Sequence, residues 1–171
     1  MQGIPEAKTP VVREFFSYYC PHCYEQEQNI EQLVSLLPKT VTFTRTPVGA
    51  GRPSWILGQQ AYYLTQKFNL PKSINMDIFS QIHDKGEPFM NSQDLVYFFT
   101  DHGVKKSAVE QALKSTDMKF ALSNYDVETQ LSGITGVPTL LVNGKYVIQV
   151  GYKTPAETAK LIDYLMTLKT K

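Results

Sequence analysis

The chain holds two cysteines, Cys20 and Cys23, with Pro21 and His22 between them. Thiols at this spacing are poorly suited to stapling a scaffold. So small a loop removes little chain entropy, and a stapled fold needs more bridges across longer loops. They suit thiol–disulfide exchange, in which one sulfur reacts as a thiolate and the other lies close enough to resolve the mixed disulfide. Structural zinc would need two more ligands, and only His83 and His102 stand outside the motif, in unrelated parts of the chain. Attachment of a c-type haem requires histidine directly after the second cysteine, where this chain has Tyr24. The expected reactive group is therefore the Cys20–Cys23 disulfide itself, with no metal and no further cofactor.

The two thiols should differ. Pro21 suits the first turn of a helix, which puts Cys20 at an end where unpaired backbone N–H groups and partial positive charge stabilise an anion. Cys20 is read as the nucleophile with a depressed pKa, and Cys23, inside the first turn, as the more buried resolving residue. His22 can donate a hydrogen bond to the thiolate or repel protons when charged, and either effect favours the reduced form. Each pKa unit is worth ~1.4 kcal/mol, or ~30 mV for a two-electron couple, so the expected direction is donation of a disulfide.

The elements that must hold these residues follow from periodicity. Val11 to Tyr19 is rich in β-branched and aromatic residues without strict alternation, the pattern of a buried central strand. Tyr24 to Leu37 places Ile30, Leu33, Val34 and Leu37 on one helical face, Pro38 stops it, and Val41 to Thr46 alternates as a strand. From Ser54 to about Ser132 the pattern turns helical: Trp55 to Phe68, Ser73 to Ile82, Gln93 to Asp101 after a Ser92 cap, Ala108 to Leu113 opened by Ser107, and Asp117 to Leu131. Two strands, Thr139 to Val142 and Lys145 to Val150, then flank Asn143-Gly144, a strong hairpin signal. Thr154-Pro155-Ala156-Glu157 is a capping box that opens a last helix to about Leu168. The order is β–α–β, a helical block, then β–β–α. It divides as 1–53 with 133–171 around an insertion over 54–132.

Composition excludes several other classes. The 17 basic and 16 acidic residues are well mixed and give a net charge of +1, which argues against nucleic acid as a partner. No apolar run approaches the ~18 residues needed to cross a bilayer. Met1 to Glu6 lacks a charged segment followed by an apolar one, so no signal peptide is expected there. No segment is built for dimerisation, and a monomer is expected.

Gly136-Val137-Pro138-Thr139 is the second chemical signal. Proline at the entry to a strand is awkward unless the strand is at an edge or the peptide bond is cis. With a C-x-x-C upstream and β–β–α following, a cis-proline beside the cysteines is the reading. Pro138 donates no ladder bond, which leaves the Val137 backbone for an extended substrate.

Glu14 through Tyr24 closely resembles the active-site stretch of the DsbA family, and Gly136-Val137-Pro138 with Val142 to Tyr146 resembles its cis-proline loop and hairpin. DsbA is itself the standing example of a depressed thiol pKa and an oxidising couple, so this resemblance and the argument from His22 are not independent. The resemblance spans nearly the whole chain in element order. It implies a thioredoxin fold carrying a helical insertion, oxidation of reduced, unfolded polypeptides, reoxidation by a DsbB-like membrane quinone reductase, and the bacterial periplasm. It also implies that Glu14 and Glu27 occupy acidic positions near the active site. Glu14 lies on the buried strand and needs a partner, which Arg45 on the next strand can supply; the plainer reading keeps Glu27 solvated and Arg45 at the surface. His83 and His102 read as surface or helix-end residues. Only 19 residues precede Cys20, fewer than is usual in that family, so an N-terminal edge strand is expected to be short or missing.

Two alternatives compete. A reductase or isomerase of the same fold would usually carry Gly-Pro between the cysteines or an added dimerisation domain, and neither is present. A peptide-binding or chaperone module would use aromatic residues such as Tyr18, Tyr19, Phe68 and Tyr152 to line a groove, although aromatics at such spacings more often form core.

Overall fold

The computed structural model describes residues 9–168. Met1 to Glu6, on which the readings of the signal peptide and the short first strand rest, lies outside the described residues, as does the tail 169–171. The sheet is built around β1 (Val11–Phe16), which pairs in parallel with β2 (Thr42–Pro47) and antiparallel with β3 (Thr139–Val142). The fourth strand, β4 (Tyr146–Gln149), is antiparallel to β3, so the order is β2-β1-β3-β4. Helix α1 (Pro21–Leu36) joins β1 to β2, and α7 (Pro155–Thr167) packs beside it. Between β2 and β3 run α2 (Pro53–Lys67), α3 (Ile74–His83), α4 (Ser92–Asp101), α5 (Lys106–Leu113) and α6 (Thr116–Ser132).

Alternation along β1 sorts its side chains by face. Val12 packs with Ile30 and Leu33 of α1 and with Ala159 and Ile162 of α7, while Phe15 packs on the opposite side with Val48 and Leu141. The helices α2–α6 form a separate apolar cluster that includes Phe16, Tyr18, Cys20 and Cys23. The cysteines therefore sit where the end of the sheet meets the helical block. Each buried leucine or isoleucine here is worth roughly 1.5–3 kcal/mol of transfer free energy.

Several boundaries differ from the sequence reading. β1 stops at Phe16, not Tyr19, because the Cys20 N–H turns back to the Ser17 carbonyl at 3.1 Å and aims the chain into α1. The cap of α4 is Asn91, not Ser92: its side chain accepts from the Gln93 and Asp94 N–H groups, and Asp94 returns a bond to the Asn91 N–H. Asparagine is at least as good a cap as serine, and the acid three residues on completes the box. α5 begins at Lys106 with no side-chain cap, one residue before Ser107. The Thr154 capping box of α7 forms as read. Asn143 and Gly144 adopt φ of 50° and 68°, and the Asn143 side chain accepts from the Val11 N–H at 2.9 Å, tying the hairpin to the start of β1.

Candidate active site

Cys20 is the N-cap of α1 and Pro21 the first residue inside it. Cys20 is 8% exposed and Cys23 1%; both thiols are free. The Ser17 N–H donates to Cys23 Sγ at 3.5 Å, and Cys20 Sγ lies 3.7 Å from the Val137 carbonyl. The Cys20 thiol is lowered to about 6, chiefly by the hydrogen bond from Cys23, which outweighs burial; the backbone N–H groups of Cys23 and His22 add to it, followed by the charge of His22. Burial and the bond to Cys20 push Cys23 far upward. One sulfur is thus a ready thiolate and its neighbour a proton-holding thiol.

His22 contributes through its backbone as much as through its ring. The imidazole is 79% exposed, with Nδ1 3.2 Å from Glu25 Oε2. His22→Pro removes both the ring and the N–H that aids the Cys20 thiolate, so the Cys20 midpoint should rise above about 6. Alkylation rate against pH measures this; a midpoint unchanged or lower in the variant would contradict the account. In the unsubstituted chain Cys23 should stay unmodified across the same range.

The Val137–Pro138 bond is cis, and Thr139 begins β3 directly after it. Beside it runs a groove of about 460 Å³ whose walls include His22, Gln26, Ile134, Val137, Pro138 and Tyr152. Of the four aromatic residues considered for such a groove, Tyr18 is fully buried in the helical cluster and Phe68 packs against it. Tyr19 is half-buried, and Tyr152, 82% exposed, lines the groove. A larger cavity of about 760 Å³ opens on the α1–β2 side and reaches Glu27 and Arg45 but neither cysteine.

The expectation of a solvated Glu27 and a surface Arg45 is corrected. Glu14 and Glu27 are each 1% exposed and the Arg45 side chain 8%. Arg45 donates to both Glu27 oxygens at 2.9 and 3.0 Å, and its Nε lies 2.9 Å from Glu14 Oε2 without the alignment of a hydrogen bond. The rings of Phe16 and Phe43 stand 5.4 and 5.8 Å from the guanidinium. Burial raises Glu14 to about 7, against the opposing pull of Arg45 and with the repulsion of Glu27. Burial also raises Glu27. Two carboxylates share one cation, so the cluster gains excess negative charge as pH rises through about 7 and Glu14 ionises, and that charge adds to the upward push on Cys23.

Sequence reasoning missed what α3 does. His83 is at a helix end, as read, yet its Nε2 lies 2.7 Å from the Tyr18 carbonyl and its ring is stacked on Tyr24. No local pattern could reveal a contact across 65 positions. Among the described residues no group of three His, Cys, Asp or Glu side chains is close enough to hold a metal ion, and no helix is long and apolar enough to cross a membrane.

The family model described as DSBA-like thioredoxin domain matches residues 56–163, a span that begins downstream of both cysteines. The thiol:disulfide interchange protein DsbA of Azotobacter vinelandii is 31% identical over 156 residues, covering 91% of this chain and 72% of that protein. DsbA of Burkholderia cepacia is 30% identical over 163 residues, with 95% and 76% covered. The crystal structure of Pseudomonas aeruginosa DsbA aligns with a TM-score of 0.86 at 29% identity, covering 96% of this chain and 86% of that one.

Proposed function

The chain belongs to the DsbA-like thioredoxin family of thiol:disulfide oxidoreductases, and from that premise we propose that its Cys20–Cys23 disulfide is donated to reduced polypeptides. The observation that carries this reading is the contrast between the two thiols, one lowered to about 6 and the other raised by burial. In the first step a substrate thiolate attacks Cys20 Sγ. A bond forms between those sulfurs, the Cys20–Cys23 bond breaks, and Cys23 leaves with the electron pair and takes a proton. A second substrate thiolate then attacks the substrate sulfur of the mixed disulfide and expels Cys20 as a thiolate. The substrate loses two electrons and two protons, and the dithiol gains two electrons. A low-pKa thiol leaves fast, so Cys20 favours this release.

Val137 and Pro138 are the substrate-binding pair in this reading, holding an extended segment beside Cys20. Glu14, Glu27 and Arg45 tune the electrostatics behind Cys23. The helices over 54–132 act as an inserted domain on a thioredoxin-like unit formed by 1–53 and 133–171. Reoxidation falls to a DsbB-like membrane quinone reductase, the compartment is the bacterial periplasm, and the working form is a monomer; family membership supports the first two.

Equilibration with glutathione buffers, together with oxidation of a reduced unfolded polypeptide, tests the reading. The expected result is a couple more oxidising than the ~−270 mV of thioredoxin and catalytic oxidation of the substrate. A thioredoxin-like potential with no substrate oxidation would overturn the direction proposed.

A further inference from the structure

Tyr18 is two residues before Cys20, and Tyr24 directly follows Cys23. Both are gripped by α3. The Tyr18 hydroxyl donates to Asn75 Oδ1 near the start of that helix, and the Tyr18 carbonyl faces His83 Nε2 at 2.7 Å at its end. A carbonyl only accepts, so Nε2 must carry the proton. The His83 ring lies over Tyr24 at 5.0 Å with the planes 3° apart, and the Tyr24 hydroxyl donates to Asp84 at 2.7 Å. The segment from Tyr18 to Tyr24 is therefore held at both ends by one helix of the insertion.

Between these grips lie the N–H groups of His22 and Cys23, both of which aid the Cys20 thiolate. Their aim depends on the backbone that enters Cys20. The Tyr18 carbonyl belongs to the peptide unit that opens this backbone, and His83 supplies its donor.

We propose that His83 is a positioning residue for the exchange reaction: its N–H to the Tyr18 carbonyl fixes the backbone leading into Cys20, so that helix α3 sets the reactivity of the dithiol. This rests on the assignment of Cys20 as the reacting thiol. His83 touches no reacting atom, and its effect passes through Tyr18.

Two substitutions separate the donor from the ring. His83→Phe keeps an aromatic surface against Tyr24 and deletes the donor; His83→Gln keeps an N–H and deletes the stack. Asn75→Ala releases the other end of Tyr18 without touching its carbonyl. Cys20 thiolate is followed by ultraviolet absorbance against pH, and the glutathione equilibrium and thermal midpoint are measured on the same proteins. His83→Phe is expected to lower the Cys20 thiolate fraction at pH 6 by about threefold or more, with a matching fall in oxidising strength, since one pKa unit corresponds to a tenfold change. His83→Gln should stay within about twofold of the parent, and Asn75→Ala should lower the thermal midpoint and leave the titration in place.

A fall in melting temperature for His83→Phe with an unchanged titration and equilibrium would make His83 structural only and overturn the proposal. So would a shift in His83→Gln as large as that in His83→Phe or larger, since a donor at position 83 would then not preserve the titration. If Cys20 of the parent protein titrates as an ordinary thiol, the assignment of the site falls first and this inference with it.

Discussion

Cys20→Ser is expected to reduce disulfide exchange to the uncatalysed background, a loss of at least ~100-fold. Cys23→Ser cannot form the donated bond either, but its Cys20 thiolate is expected to attack a disulfide-bonded peptide, expel one peptide sulfur with the electron pair, and accumulate as the mixed disulfide. The asymmetry comes from geometry. Cys20, at the helix start, is the sulfur nearer the Val137 carbonyl and the groove; Cys23, 1% exposed, receives the Ser17 N–H and faces inward. Serine at 20 offers no thiolate and cannot form the bond that is donated. Serine at 23 leaves Cys20 reactive and removes the neighbour whose closeness makes resolution effectively intramolecular. Serine also puts an O–H donor where the Cys23 thiol gives the largest contribution to the low Cys20 midpoint, whereas Cys23→Ala removes that bond. Alkylation of Cys20 in Cys23→Ala should therefore shift to higher pH. Oxidation of a reduced polypeptide measures the first variant, and mass spectrometry under non-reducing conditions after incubation with a disulfide-bonded peptide measures the second. Cys20→Ser activity within tenfold of the parent, or a trapped adduct on Cys23, would reverse the assignment of nucleophile and resolver.

The parts of this site that were legible in the sequence are those set by neighbours along the chain. Spacing placed the two thiols at a helix start, and Val137-Pro138 before the hairpin strand Thr139 to Val142 located the loop that packs against them. The Thr154-Pro155-Glu157 box was readable for the same reason. What was not legible depends on packing between distant segments. Glu27 and Arg45 look solvated because a charged residue on a helix or an edge strand normally is. Their burial follows from the Phe16 and Phe43 rings and from the register that sets Glu14 opposite Arg45. Tyr18 and Tyr19 continue the aromatic run of β1, yet they leave the strand because Ser17 closes a turn onto Cys20. The Asn91 cap is a local competition between adjacent residues that can both cap, decided by Asp94.

The buried cluster gives the second large effect, and its sign is fixed by burial of Glu14, which outweighs the pull of Arg45. Glu14 in the folded chain titrates at about 7, above the ordinary 4.5, so the folded state holds its proton more tightly than the unfolded one. Stability from this group is fully present below the unfolded value and is lost as pH rises through the folded one. A shift of that size on a group 1% exposed corresponds to about 3 kcal/mol, with the loss falling between roughly pH 4.5 and 7. Glu14→Gln leaves Arg45 and Glu27 as a neutral pair with its bonds at 2.9 and 3.0 Å intact. It should match the parent near pH 4.5 and exceed it by about 1–3 kcal/mol at pH 8. Arg45→Met does the reverse. It strands two buried carboxylates and should cost about 3–5 kcal/mol at pH 8, less near pH 4.5 where protonation relieves them. Urea denaturation of all three proteins at both pH values, in one redox state, reads the differences, from which the titration of Cys20 cancels. A cost for Arg45→Met that does not change with pH, or a Glu14→Gln curve parallel to the parent, would mean that the carboxylates are not the source. The same excess charge raises Cys23, so Glu14→Gln should also ease departure of Cys23 in the first step, and faster formation of the mixed disulfide at pH 8 would tie the stability cost of the cluster to the chemistry above it.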